Sequence, residues 1–268
     1  MEPLTLAIAL GAIIGAMLAL TGAGGGVLAI PLLVFGLHLP VQQAAPVGLV
    51  AVGLAAALGA ALGLRQRIVR YRAAGLIGVA GMLVAPLGVF MAQRLPNRPL
   101  LAAFALVLIY TAWRMLKRPP PSRQSPVAVP CHVSHADQRL TWTLPCARAL
   151  AGTGLISGLL SGLLGVGGGF VIVPALTRYT DLDMRSVQVT SLAVIALVSL
   201  SGVSAAAWHG SLPWAVALPF ALGAVLALLL GRQLAGKLNA ARLQQAFAWF
   251  SLGVAALMLA RAAGWVVS

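Results

Sequence analysis

The chain has 268 residues, of which 60% are hydrophobic and 8% charged, and its mean hydropathy is +0.99. A soluble globular domain carries about 25% charged residues, so this composition excludes an ordinary water-soluble fold and points to a membrane chain. The formal net charge is +14, but the basic residues sit at the ends of apolar runs and in the loops between them, which is a membrane-topology pattern rather than a nucleic-acid surface.

Apolar segments are read in chain order at 4–20, 24–37, 43–63, 72–92 and 99–117, then at 149–164, 168–178, 186–207, 213–235 and 243–261. The longer ones can cross about 30 Å of hydrocarbon as helices. They lack the alternation of a transmembrane β-barrel, and backbone in lipid must satisfy its own hydrogen bonds. The first segment lacks the basic start of a signal peptide, since Glu2 is its only charge, and is read as a retained helix. Segments 24–37 and 168–178 would span only about 21 and 17 Å at 1.5 Å per residue, which suggests helices that begin within the membrane. Residues 118–148 form the only sizeable polar stretch and open with Arg118-Pro119-Pro120-Pro121-Ser122, a linker composition. The expected division is an N-terminal transmembrane repeat at 1–117, a cytoplasmic linker at 118–148 and a C-terminal transmembrane repeat at 149–268.

The two halves read as one unit used twice. Gly22-Ala23-Gly24-Gly25-Gly26 runs on to Pro31, and Gly165-Val166-Gly167-Gly168-Gly169 runs on to Pro174, 143 residues later throughout. The same offset pairs Gly11 with Gly154, Gly15 with Gly158, Leu49 with Leu192, Gly59 with Gly202 and Gly88 with Gly231. Five segments per half is an odd number, so the halves should face opposite ways across the membrane. With loop 64–72 inside, fifteen of the eighteen basic residues fall on the inner side, leaving Arg94, Arg98 and Arg261 outside with both termini. A rival reading makes 4–37 and 149–178 one crossing each. It moves Arg178, Arg185, Arg232, Lys237 and Arg242 outside and fails on charge. The expected fold is therefore an all-α polytopic membrane protein built from two inverted repeats of about five segments each. Each half carries a Gly-interrupted or a re-entrant helix, and the sequence leaves those two forms open.

Paired interrupted helices at matching places in two halves mark a transport site. Glycine allows close backbone approach, and a helix starting at such a turn exposes free N–H groups that favour an anion. The candidate substrate-binding residues are Gly22, Gly24, Gly25, Gly26 and Pro31 in the first half and Gly165, Gly167, Gly168, Gly169 and Pro174 in the second. The alternative is that these glycines only let helices pack closely. Gln188, Thr190 and Ser191 add polar side chains where the first half has Ala45, Val47 and Gly48, and they are read either as site residues or as interhelical hydrogen bonds.

The four acids, Glu2, Asp137, Asp181 and Asp183, lie in loops or at a terminus, so no carboxylate stands in a membrane segment to relay a proton or hold a cation. His209, beside Trp208, reads as part of an interfacial anchor. Cys131, His132, His135 and Cys146 gather in the linker, but their spacing matches no standard zinc arrangement. A cytoplasmic loop keeps thiols reduced, so a disulfide is not expected there. No catalytic constellation, metal or cofactor is expected. The expected partners are a small anion and the lipid bilayer, not nucleic acid, and a homo-oligomer is left open.

The doubled Gly-x-Gly-Gly-Gly turn, the prolines that follow it and the two hydrophobic halves resemble the TauE/SafE family of membrane transporters over residues of about 4–261. The resemblance implies a bacterial inner-membrane permease that exports sulfite, sulfoacetate or related sulfur anions. This chain departs from the pattern at Val47-Gly48, where family halves often carry a Thr–Ser-like pair, kept here as Thr190-Ser191, and in its long linker. The reading is a permease moving a small anion outward. The alternatives are a permease for another small solute, or a non-transporting membrane sensor or partner protein whose linker does the work.

Overall fold

The computed structural model describes residues 3–21, 26–117, 131, 143–235 and 240–263. Among these residues the chain forms ten α-helices and no strand: α1 Pro3–Thr21, α2 Ala29–Gly36, α3 Val41–Arg65, α4 Tyr71–Arg94, α5 Asn97–Lys117, α6 Leu144–Leu164, α7 Gly169–Tyr179, α8 Met184–Trp208, α9 Trp214–Ala235 and α10 Ala240–Ala262. Within the described residues, α3, α4, α6, α8 and the Trp214–Gly231 stretch of α9 are long and apolar enough to span a bilayer. The protein is an all-helical, multi-pass membrane protein.

The helices are built inside out relative to soluble ones. Along α4, Val79, Leu83 and Leu87 are exposed, while Gly78, Gly81, Ala85 and Gly88 are buried. The same i, i+4 stripe recurs on α9 as exposed Leu222, Leu226 and Leu230. Lipid is as apolar as leucine, so burying leucine gains little. Small residues gain more, because they let backbones approach and accumulate dispersion contacts.

Those close approaches repeat with the 143-residue offset. A Cβ at Gly11 would run into the backbone of Phe220 and one at Gly15 into that of Ala224, so α1 lies on α9. A Cβ at Gly154 would run into the backbone of Ile77 and one at Gly158 into that of Gly81, so α6 lies on α4. Adding 143 to Gly11, Gly15, Ile77 and Gly81 turns the first set of contacts into the second. The same exchange relates Gly59 against Leu192 to Gly202 against Leu49.

The contacts also fix directions. Gly53 meets Ser199, Gly59 meets Leu192 and Gly63 meets Val189, so numbers fall along α8 as they rise along α3, and the two equivalent helices run antiparallel. Gly78 meets Leu197 and Ser201 Oγ donates to Met82 O at 2.8 Å, so α8 runs parallel to α4. The glycine contacts above make α6 parallel to α4 as well. Helices α6 and α8 therefore point the same way, and the segment between them must carry the chain back. That segment contains α7, whose 11 residues extend about 16 Å at 1.5 Å per residue.

One expectation is corrected. Cys131 and Cys146 are joined by a disulfide, with Cα atoms 5.1 Å apart. The expectation of free thiols came from the redox state of a compartment, which says nothing about geometry. The structure brings the two together because Cys131 N donates to Tyr179 O at 3.1 Å, fastening the linker to the end of α7, while Cys146 is buried in the first turn of α6. Thr143 caps that turn, its hydroxyl accepting from Cys146 N at 3.3 Å.

Candidate functional site

Helix α6 ends at Gly165, which takes a left-handed conformation (φ +69°) and donates its N–H to Ser161 O at 2.7 Å. Gly168, also left-handed (φ +72°), then starts α7 without any side-chain cap. Gly167 between them is left-handed as well (φ +74°); an L-residue pays a steric cost in this region, so the turn needs glycine at three places. It also needs space: a Cβ at Gly165 would collide with the backbone of Ala45, and one at Gly168 would sit 2.8 Å from Ser157 O.

The turn is packed between the two equivalent helices. A Cβ at Gly167 would lie 2.8 Å from Ile195 Cγ2, 3.1 Å from Val52 Cγ1 and 3.6 Å from Ser199 Oγ. Gly26 belongs to the first turn, and a Cβ there would lie 3.1 Å from both Val52 methyls and 3.3 Å from Val166 O. Val52 of α3 is thus wedged between the two glycine turns, which meet in the interior. Gly22, Gly24 and Gly25 lie outside the described residues. The first short helix begins at Ala29, after a tight turn at 26–28, and its N-cap Leu28 also lacks a side-chain hydrogen bond. Both short helices start among buried residues.

Pro31 is buried in the first turn of α2. Pro174 lies within α7 and lines a cavity on that helix's far side. Thr190 is buried and its hydroxyl accepts from Arg70 N at 3.1 Å, which ties α8 to the 66–70 turn. Ser191 donates to Gln188 O at 2.7 Å within its own helix. Gly169 is buried at the start of α7. Ala45 and Gly48 both lie against Gly165. Their counterparts under the offset are Gln188 and Ser191, and Gly165's counterpart is Gly22.

Sequence reading missed three buried hydroxyls around the second turn. Ser161 and Ser199 have no hydrogen-bond partner for their Oγ atoms, and Ser157, which donates to Gly154 O at 3.1 Å, has its carbonyl against Gly168. An orphaned buried hydroxyl costs about 1–3 kcal/mol. The signal that finds them is the asymmetry that drew attention to Gln188: under the offset, Ser157, Ser161 and Ser199 replace Ile14, Leu18 and Ala56.

The interior meeting of two glycine turns, each starting an uncapped short helix between long apolar ones, defines a polytopic transporter of the discontinuous-helix class. The sequence profile described as Sulfite exporter TauE/SafE matches residues 7–258, and the chain belongs to this family. It is 28% identical over 264 residues to a protein of Xylella fastidiosa named probable membrane transporter protein, covering 97% of this chain and 96% of that one. A protein of the same name from a second strain of that organism is 27% identical over 267 residues, with the same coverage. A similarly named protein of Methanocaldococcus jannaschii is 28% identical over 206 residues, covering 75% of this chain and 71% of its own. No solved structure matches the chain. The protein is a membrane transporter of the TauE/SafE family.

Proposed function

We propose that this transporter is a permease that moves a small sulfur oxyanion or organosulfonate outward across the bacterial inner membrane. The observation that carries the reading is the pair of orphaned buried hydroxyls at the second glycine turn, Ser199, whose Oγ lies against Gly167, and Ser161, whose carbonyl accepts from Gly165 N, just before the uncapped start of α7 at Gly168. Hydroxyl donors and the positive end of a helix dipole together suit an anion. Neutral donors also let it leave again, which a buried arginine would resist. Gln188 and Ser191 are proposed to serve the first turn, since they occupy the positions that Ala45 and Gly48 occupy at the second.

The two halves are proposed to be inverted, with periplasmic termini and a cytoplasmic linker. Antiparallel α3 and α8 support this, as does the count of basic residues on one side. The described carboxylates, Asp181 and Asp183, precede α8, and Asp183 accepts from Ser186 N as its cap. Among the described residues no carboxylate lies at the turns, and export is proposed to run without a coupled proton. An inside-negative potential drives a monoanion outward by about 2.3 kcal/mol per 100 mV.

The test is flux from proteoliposomes loaded with sulfite, sulfate, thiosulfate or a sulfonate, under imposed potassium-diffusion potentials. Outward flux of at least one sulfur anion should rise with the potential, and His209→Gln should leave that dependence intact. Flux that ignores potential but follows a proton or sodium gradient contradicts the uncoupled reading. Absence of flux for the whole panel removes the substrate class.

A further inference from the structure

A second basic feature lies away from the glycine turns. Helices α5, α6 and α7 line a half-open cavity of about 360 Å³ bordered by Tyr110, Arg114, Arg148, Thr153, Phe170 and Arg178, among others. Three guanidinium groups share this wall, and among the described residues no carboxylate lines it. Arg114 donates to Tyr110 OH at 3.0 Å, which leaves the phenol proton free for another acceptor. Arg148 and Arg178 form no hydrogen bond or ion pair among the described residues, and both are exposed to solvent.

Helix-end electrostatics explain part of this. Arg114 and Arg178 sit in the last turns of α5 and α7, where the dipole favours a cation. Arg148 does not fit that account. It lies near the start of α6 (Leu144–Leu164), where the dipole favours an anion, and it faces the same cavity as the other two. Three like charges at one cavity repel unless something negative sits between them.

We propose that this cavity is an oxyanion-binding vestibule, taking a tetrahedral sulfonate, sulfate or phosphate group from the linker end. Planar guanidinium forks match two oxygens at once, and the Tyr110 hydroxyl adds a further donor. The eight helical steps from Arg178 to Phe170 cover about 12 Å along α7, and Phe170 adjoins Gly169. The floor of the vestibule therefore reaches the second glycine turn. The disulfide holds its rim: Cys146 precedes Arg148 by two residues, and Cys131 N donates a hydrogen bond to the carbonyl of Tyr179, next to Arg178. The vestibule's role in delivering substrate rests on the permease reading, whereas its binding of the anion does not. The same group could arrive on a free anion or on an anionic lipid headgroup.

The experiment uses the full chain in phosphatidylcholine nanodiscs, with sulfate, inorganic phosphate and methanesulfonate titrated calorimetrically. Native mass spectrometry of protein extracted from phosphatidylglycerol-containing bilayers reports retained lipid. Arg148→Gln with Arg178→Gln should weaken free-anion binding at least tenfold, or strip retained phosphatidylglycerol if the lipid is the source. Should the double variant misfold, Arg178→Gln alone should weaken binding about threefold, because its side chain is exposed. Unchanged binding of all three anions together with unchanged lipid retention overturns the proposal. Loss of binding in the arginine variant, with no sulfur-anion flux in the parent, would keep the vestibule and remove the permease reading.

Discussion

Gly158 on α6 lies so close to Gly81 on α4 that a single carbon added at Gly158 would fall 2.6 Å from the Gly81 Cα. Its equivalent, Gly15 on α1, stands against Ala224 on α9, where an added carbon would fall 2.7 Å from the carbonyl carbon. Both contacts are backbone on backbone, so no side chain can rotate away. Gly158→Ala and Gly15→Ala should each lower stability by about 1–3 kcal/mol, the usual cost of overpacking. Gly75, with nothing within 4 Å of its added carbon, is the control. Gly75→Ala should be neutral or stabilising by up to about 1 kcal/mol through helix propensity. Thermal unfolding in detergent reads all three, and equal midpoints would mean that these helices are not held by glycine contacts.

At the second turn, Gly168→Val should stop transport while the long helices still form. Valine resists the left-handed backbone that Gly168 adopts, and its Cβ would crowd Ser157 O. Gly25→Val, at the equivalent place, should do the same. Ser199→Ala is the gentler probe. If its hydroxyl donates to a bound anion, losing about 1.5–3 kcal/mol should weaken apparent affinity roughly ten- to a hundredfold. Unaltered affinity in Ser199→Ala and normal flux in folded Gly168→Val would reduce the turn to packing.

Topology can be read with cysteines introduced one at a time at 68 and 210. The native pair is fully buried and stays silent to maleimide. A membrane-impermeant reagent applied from outside should label residue 210 and miss residue 68. The opposite pattern would invert the proposed orientation, and labelling of both would defeat the two-sided arrangement.

The Cys131–Cys146 bond closes a loop with a sequence separation of 15, a length for which chain-entropy arguments give about 3 kcal/mol. Cys131→Ser should lower the unfolding free energy by roughly that amount under oxidising conditions. Adding dithiothreitol should bring the parent to the variant's midpoint and leave the variant unchanged. A parent insensitive to reductant would mean that the bond does not hold the end of α7 to the start of α6.

Much of this protein was written in its periodicity. Ten apolar segments, the break at each glycine turn and the 143-residue offset follow from the alternation of long apolar runs with glycine, proline and arginine. Lipid imposes helices on such runs whatever their packing, so the elements and their order needed no tertiary information. The side chains that matter at the turn did need it. Ser161 and Ser199 are ordinary small polar residues in sequence, and only the approach of α8 to the turn after α6 makes them buried and unpartnered. Thr190 sits near the start of α8 and is committed to Arg70 N, a contact between segments 120 residues apart that no local pattern encodes. The disulfide was hidden for the same reason. It depends on where the linker docks on α7, and thiol spacing alone carries no information about docking. Local chemistry thus determined which segments exist and where they break. The three-dimensional meeting of α3, α6, α7 and α8 decided which polar groups face one another, because burial and hydrogen bonding depend on neighbours distant in the chain.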